Sequence, residues 1–396
     1  MLNTLILTSV VVVAAVLIWP RVYNAPLWRA TITPLASIIG SGFLVLGPIL
    51  DVSFGGYAPI AMMALCLVAW GLGDTIRFNI RDLDQRPDRG TSIARMEIAS
   101  SASLAFAFFI SVAYYLNLFG AFGVSLTGVD DDYHARLLTT AVFVLILIVG
   151  WTRGFAALER MEQVSVGLKL SIIAGLIVGL AIYFGEDLAT GTLLFKPPSV
   201  TGLDAVLMLA GLIVTVQGFE TSRYLGSTYD AATRIRSMRW AQIIASAIYM
   251  IYIGLLTYAI DPGGISLSET AIIDLMSVVA PILPLLLVAA ALCAQFSAAI
   301  ADTSGSGGLI SEITRGWVTE KTGYACLVAT GLVLTWSFDV FQIISYASRA
   351  FALYYAIQAG IAANAAFSTE RSLKGAIYIA LSALSLAIAA FGTLVE

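Results

Sequence analysis

The feature that most constrains this chain is a succession of apolar blocks, each about 20 residues long and almost free of charge, the length a helix needs to cross about 30 Å of hydrocarbon. The blocks are continuously apolar and not alternating, so they are expected to be helices and not strands of a barrel. With 59% apolar and 12% charged residues, the chain falls far outside the range of a soluble domain. The expected fold class is all-α, a polytopic membrane protein.

Twelve spans are expected, at about 4–19, 31–50, 57–73, 96–122, 136–152, 162–184, 204–224, 238–260, 276–304, 323–337, 340–365 and 374–395. The first has no basic residue before it and no small-residue cleavage site, and it ends in Trp19-Pro20-Arg21. It reads as a retained helix and not as a signal peptide.

Lys and Arg set the orientation. With the N-terminus outside, all but three of the 21 Lys and Arg fall on the inside, on connections or near the inner ends of spans. The exceptions are Arg136 and Lys196, which fall outside, and Arg349, which lies within a span. The sorting supports the count of twelve and places both termini outside, in a multi-pass plasma or inner-membrane protein. A mid-span arginine needs a partner or water. Glu220, Asp302 or an anionic solute are the candidate partners, and a structural ion pair is the expectation.

Several functions lose support here. Cys66, Cys293 and Cys326 all lie inside apolar blocks, with no ligand spacing and no disulfide pattern. The single histidine, His134, adjoins Asp130-Asp131-Asp132 in what reads as a solvated loop. No His-Glu-x-x-His or paired-Asp motif favours an intramembrane enzyme. No cofactor and no nucleic-acid partner are expected; the partners are the bilayer and a small-molecule solute.

Two spans carry interruptions at mid-depth. The second reads Pro34-Leu35-Ala36-Ser37-Ile38-Ile39-Gly40-Ser41-Gly42-Phe43, and the seventh Thr215-Val216-Gln217-Gly218-Phe219-Glu220-Thr221. Glycine costs about 1 kcal/mol relative to alanine inside a helix. A break frees N–H and C=O groups that lipid cannot satisfy, so it is tolerated only inside protein or along a cavity. One Gly-x-Gly alone reads as close helix packing. The two interruptions open two sets of five helices, spans 2–6 and 7–11, and an odd number per set inverts their topology. Paired breaks in matching helices point to a transporter's binding site.

Ile39-Gly40-Ser41-Gly42-Phe43 resembles the first-helix motif of the amino acid–polyamine–organocation superfamily. Gly218-Phe219-Glu220 resembles its sixth-helix motif. The stretch from Gly154 to Gly179, with Gly167-Leu168-Lys169-Leu170, resembles its fourth-loop and fifth-helix pattern. The resemblance covers about 31–365 and implies the LeuT fold, a 5+5 inverted repeat with one extra helix at each end. Its parts would be an N-terminal helix and linker over 1–30, a first repeat over 31–185, a second over 204–366 and a last helix over 374–396. Tyr229-Asp230-Ala231-Ala232-Thr233-Arg234 departs from the family, lacking its usual proline-containing loop.

The resemblance also implies a site. Amides near Gly40, Ser41 and Gly42 would receive a carboxylate, and carbonyls of Ile38, Ile39 and Thr215 an ammonium. Gln217 and Phe219 would line the side-chain pocket. Glu220 is either a functional carboxylate or a hydrogen-bonded link from the broken helix to a neighbour. In sodium-coupled relatives, Ala36 O, Ile39 O, Ile300 O, Thr303 and Ser304 would hold the ion. In sodium-independent members a lysine at the position of Lys169 places its ammonium there instead; snorkelling to the inner surface is the alternative. Asp302 would pair with Lys169 or carry a proton. The expectation is a secondary transporter of amino acids or related small organic solutes, proton-coupled or sodium-independent. The alternatives are a sodium-coupled symporter and a non-transporting sensor or complex subunit.

Overall fold

The computed structural model describes residues 1–40, 42–86, 90–152, 156–225, 229–261, 263 and 268–392, without the side chains of 156–163. Ser41, Gly154, Arg89, Arg153 and the side chain of Arg160 therefore lie outside the described residues.

In chain order the helices are α1 (Leu2–Ile18), α2 (Pro20–Tyr23), α3 (Pro26–Ile38), α4 (Gly42–Phe54), α5 (Ala58–Gln85), α6 (Thr91–Val124), α7 (Asp132–Thr152) and α8 (Ala156–Thr190). There follow α9 (Gly202–Gly211), α10 (Ala231–Ala259), α11 (Ala271–Val279), α12 (Leu283–Ile313), α13 (Glu320–Ser337), α14 (Val340–Ser368) and α15 (Ser372–Phe391). No strand occurs among the described residues. Eight helices among them are long and apolar enough to cross a membrane. Each of the twelve expected spans overlaps a helix; the second is split into α3 and α4, and the seventh into α9 and two 3-10 turns. The short α11 was not expected. Its apolar run reads as the start of the next span, but Pro281 and Pro284 separate the two.

The outer helices attach through small residues. A Cβ at Gly175 of α8 would meet Val10 of α1 at 2.7 Å, and one at Gly179 would meet Ile6 at 3.1 Å. The missing side chains let α1 lie directly on α8. At the other end, a Cβ at Gly375 of α15 would meet the Phe367 ring of α14 at 2.7 Å, and Ser382 donates to Ala356 O at 2.8 Å. Exposed Val11, Val16, Ile148, Ile377 and Leu386 form the kind of apolar surface that lipid solvates.

Arg349 corrects one expectation. Its Nε donates to Ala389 O at 2.9 Å and its Nη2 to Ala390 O at 3.3 Å. Its described partners are the last carbonyls of α15, not Glu220, Asp302 or a solute. A helix C-terminus carries roughly half a negative charge on its unpaired carbonyls, so it serves a guanidinium as a carboxylate would.

A strap over one end of the bundle was also unforeseen. Lys196 Nζ lies 2.6 Å from both carboxylate oxygens of the fully buried Asp51 and 2.8 Å from Ile260 O. Gly56 N donates to Lys196 O, and Ser199 N and Val200 N to Ser53 O. The segment before α9 is thereby pinned to the ends of α4 and α10.

Candidate functional site

The first break falls between α3 and α4. The helix loses its register at Ile39, whose ψ is 52°, and resumes at Gly42. A Cβ at Gly40 would lie 2.8 Å from Ser37 O, so the turn requires glycine. The second break is longer. After α9 the chain makes a 3-10 turn over Ile213–Val216, extends through Gln217, turns at Gly218 with φ +118°, and makes another 3-10 turn over Phe219–Tyr224.

The two breaks face each other in contact. A Cβ at Gly218 would meet Ser37 Cβ at 2.5 Å, and one at Gly42 would meet Thr215 Cβ at 2.6 Å. Glycines at both points let two irregular backbones touch. The carbonyls freed by the breaks find side chains from flanking helices. Tyr249 of α10, buried to 1% exposure, places its hydroxyl 2.6 Å from Thr215 O and 3.0 Å from Ile38 O. Ser348 of α14 donates to Gly211 O at 2.6 Å and accepts from Val214 N at 3.1 Å. Each buried polar group left unpaired would cost about 1–3 kcal/mol, so these two hydroxyls make the breaks tolerable.

Glu220 is fully buried. Its Oε2 accepts from Gly218 N at 3.0 Å and from Tyr355 Oη at 2.8 Å. Its Oε1 has no partner among the described residues. Tyr355 Oη also lies 3.2 Å from Gln217 Oε1, and its ring stacks on Phe219 with centroids 5.4 Å apart. Gln217, Phe219 and Glu220 are thus all turned toward α14. Beyond them Arg223 pairs with Glu97 of α6 and donates to Gln358 of α14, which in turn bonds Ser100 and accepts from Asn79. This cross-brace fixes the 3-10 turn Phe219–Tyr224 of the second break. It was not foreseen, because Arg223 read as an ordinary inside-loop charge.

Lys169 of α8 is buried to 1% exposure, and its Nζ lies 2.7 Å from Ala36 O. It shares a small cavity with Ile39, Gly40, Phe43 and Gln295. Snorkelling to the inner surface does not describe this side chain. On α12, Thr303 Oγ1 donates to Ala299 O at 2.6 Å, while Ile300, Asp302 and Ser304 line a larger cavity. Asp302, 3% exposed, accepts a hydrogen bond from Ser111 of α6.

That larger cavity measures about 550 Å³. Its walls include Ile32 of α3, Phe108 of α6, Thr221 and Tyr224 of the second break, and Asp302 of α12. Exposed Arg29 and Glu312 stand at its edge. Its size suits a small organic molecule. The structure thus brings the two breaks into contact, with Lys169 against Ala36 O of the first and Glu220 buried in the second, while Ile300, Asp302 and Ser304 line the larger cavity. Tyr249, Ser348 and Tyr355, which complete the breaks, carried no signal in the sequence beyond being polar residues in apolar blocks.

The fold resembles those of solved transporters. The structure of Mhp1, a nucleobase-cation-symport-1 family transporter with bromovinylhydantoin bound, superposes with a TM-score of 0.55 at 16% identity, over 92% of this chain and 91% of that one. A manganese transporter of Eremococcus coleocola, solved with an aromatic bis-isothiourea compound, gives 0.55 at 15% identity, over 92% and 87%. At such identities these likenesses establish the fold, which is LeuT-like. An uncharacterized protein of Aquifex aeolicus (strain VF5) is 38% identical over 409 aligned positions, covering 100% of this chain and 99% of its own. The family model described as APC superfamily transporter matches residues 20–392. The chain therefore belongs to the amino acid–polyamine–organocation superfamily of transporters.

Proposed function

We propose that this protein moves amino acids or related small organic solutes across the membrane by alternating access, without sodium and with the proton as coupling ion. The observation that carries the reading is the 2.7 Å contact from Lys169 Nζ to Ala36 O. Ala36 O is one of the oxygens a sodium ion would need, and an ammonium holds it. Thr303, a second expected ligand, donates its proton to Ala299 O. Oxygen-only ligation would suit a hard cation, but the charge here is supplied by the protein.

Alternating access would rock the helices around the two breaks against α6, α8 and α12. The cavity reaches the surface beside Arg29 and Glu312, on connections expected inside, so the conformation reads as open inward. The strap of Lys196 on Asp51 would then close the outer end. Asp302 and Glu220 are the carboxylates available to carry a proton. The Tyr249 contacts mean that a solute ammonium reaching Ile38 O and Thr215 O must displace a hydroxyl.

The test is uptake into proteoliposomes with a panel of radiolabelled amino acids, with and without sodium or an inward proton gradient. The expected result is uptake that follows the proton gradient and ignores sodium. Uptake that requires sodium would transfer the site to the sodium reading, with Ala36, Ile39, Ile300, Thr303 and Ser304 as ligands.

A further inference from the structure

Tyr249 lies on α10, outside both broken helices, yet its hydroxyl touches a freed carbonyl of each. The ring is wedged against Phe43, with centroids 5.4 Å apart, and the side chain is 1% exposed. The hollow it shares with Ile38, Cys66, Val216 and Gln242 measures about 10 Å³, too little to hold a water comfortably. Solvent therefore has room for one molecule at most, and the phenol is the donor that reaches both carbonyls. A hydroxyl has one proton, so two acceptors at 2.6 and 3.0 Å share it. The contact is complete enough to keep the centre dry and incomplete enough to be improved by a donor with several N–H groups.

We propose that Tyr249 is the positioning residue that lets the empty transporter return, its hydroxyl standing in for the solute's N–H donor at Ile38 O and Thr215 O. This rests on the transport reading above. A secondary transporter crosses its occluded state twice in each net cycle, once loaded and once empty. Loaded, the N–H groups of the solute satisfy the carbonyls. Empty, Tyr249 is the one side chain among the described residues that reaches both at once. Ser348 also completes a break, but its bonds among the described residues go to Gly211 O and Val214 N of the second one, so it serves loaded and empty forms alike. The two hydroxyls thus separate a role in the return step from a role in holding the fold.

The experiment compares wild type, Tyr249→Phe and Ser348→Ala in proteoliposomes, using a radiolabelled mixture of the proteinogenic L-amino acids. Entry is measured into empty vesicles, which needs the empty return, and into vesicles preloaded with the unlabelled mixture, which does not. For Tyr249→Phe, net entry falls about tenfold or more while exchange stays within about threefold of wild type. For Ser348→Ala, entry and exchange fall together. A parallel fall of both modes in Tyr249→Phe, or no fall in either, overturns the proposal. If wild type moves the mixture in neither mode, the amino-acid reading fails, and a ligand-free arm still decides. Hydrogen–deuterium exchange over 36–44 and 212–220 should then be about tenfold faster in Tyr249→Phe than in wild type, with 372–391 unchanged, because water enters the unpaired break. Equal exchange over the two breaks would show that the hydroxyl does not keep them dry.

Discussion

Gly218 lies flat against Ser37, with a φ of +118° and no space for a Cβ, which would come within 2.5 Å of the Ser37 Cβ and 2.8 Å of Ile38 N. Here, as at Gly42 against Thr215, the absence of a side chain lets the two broken helices touch. Gly218→Ala meets both the strained backbone region and the neighbouring main chain, so it should cost about 1–3 kcal/mol and separate the breaks. The expected outcome is a lower unfolding midpoint and loss of uptake. Gly185, whose Cβ would meet nothing within 4 Å, is the control, and Gly185→Ala should leave both unchanged. Wild-type uptake in Gly218→Ala would mean that the contact is incidental.

Arg349 tests the helix-terminus assignment. Arg349→Ala removes two hydrogen bonds to Ala389 O and Ala390 O and leaves those carbonyls without their cation. The expected loss is about 1 kcal/mol of stability, up to roughly 2 for a partly buried site. Arg371 sits at the opposite end of α15, with its guanidinium 5.9 Å from the Phe78 ring centroid, and Arg371→Ala should change stability by less than about 0.5 kcal/mol. Thermal unfolding in detergent measures both. Transport should survive Arg349→Ala, since its described contacts lie on α15 and not at the breaks.

The pair of Asp51 and Lys196 should behave as a buried ion pair. Lys196→Met leaves the Asp51 carboxylate, whose side chain is 0% exposed, without its partner, at a cost of roughly 3 kcal/mol. Adding Asp51→Asn to Lys196→Met should restore much of that loss, because no bare charge then remains. A double variant no more stable than Lys196→Met alone would show that the strap is held by Gly56, Ser199 and Val200 through their backbone bonds.

How much of this was legible in the sequence follows from what kind of group does the work. Gln217 and Glu220 were visible because lipid-spanning helices avoid polar and charged residues without cause, and Gly40, Gly42 and Gly218 because they interrupt matching spans at the same depth. Lys169 was visible as a charge two turns into a span. The partner of Arg349 was not, because it is backbone, supplied by a helix end 40 positions away. Nor was the strap, since pairing Lys196 with Asp51 requires a loop to fold back across 145 positions. Tyr249 is one of several tyrosines in apolar blocks. Only the placement of its hydroxyl between two carbonyls sets it apart, and no periodicity encodes that.

The contact between Lys169 and Ala36 supports the remaining prediction, that sodium has no place in the wild-type protein and gains one when the lysine is removed. An ammonium and a sodium ion about 4 Å apart repel by about 4 kcal/mol at an effective dielectric of 20. A charged Lys169 at Ala36 O thus excludes sodium from that oxygen by a factor near a thousand. Lys169→Ala vacates the position and leaves Ala36 O unpaired beside Ile39, with Thr303 and Ser304 on α12 as the further expected oxygens. Sodium should then bind where the ammonium was. Because a ligand that binds the folded form alone stabilises it by RT ln(1 + [L]/Kd), sodium should raise the unfolding midpoint of Lys169→Ala and not that of wild type. Proton-driven uptake should be lost in the same variant. Lys169→Arg should not restore it, because a planar fork does not match a single carbonyl acceptor as a compact ammonium does. Replacing sodium with choline in thermal-unfolding runs of the three proteins measures this directly. A sodium-dependent shift in wild type, equal to that of Lys169→Ala, would show that the ammonium and the ion occupy different places.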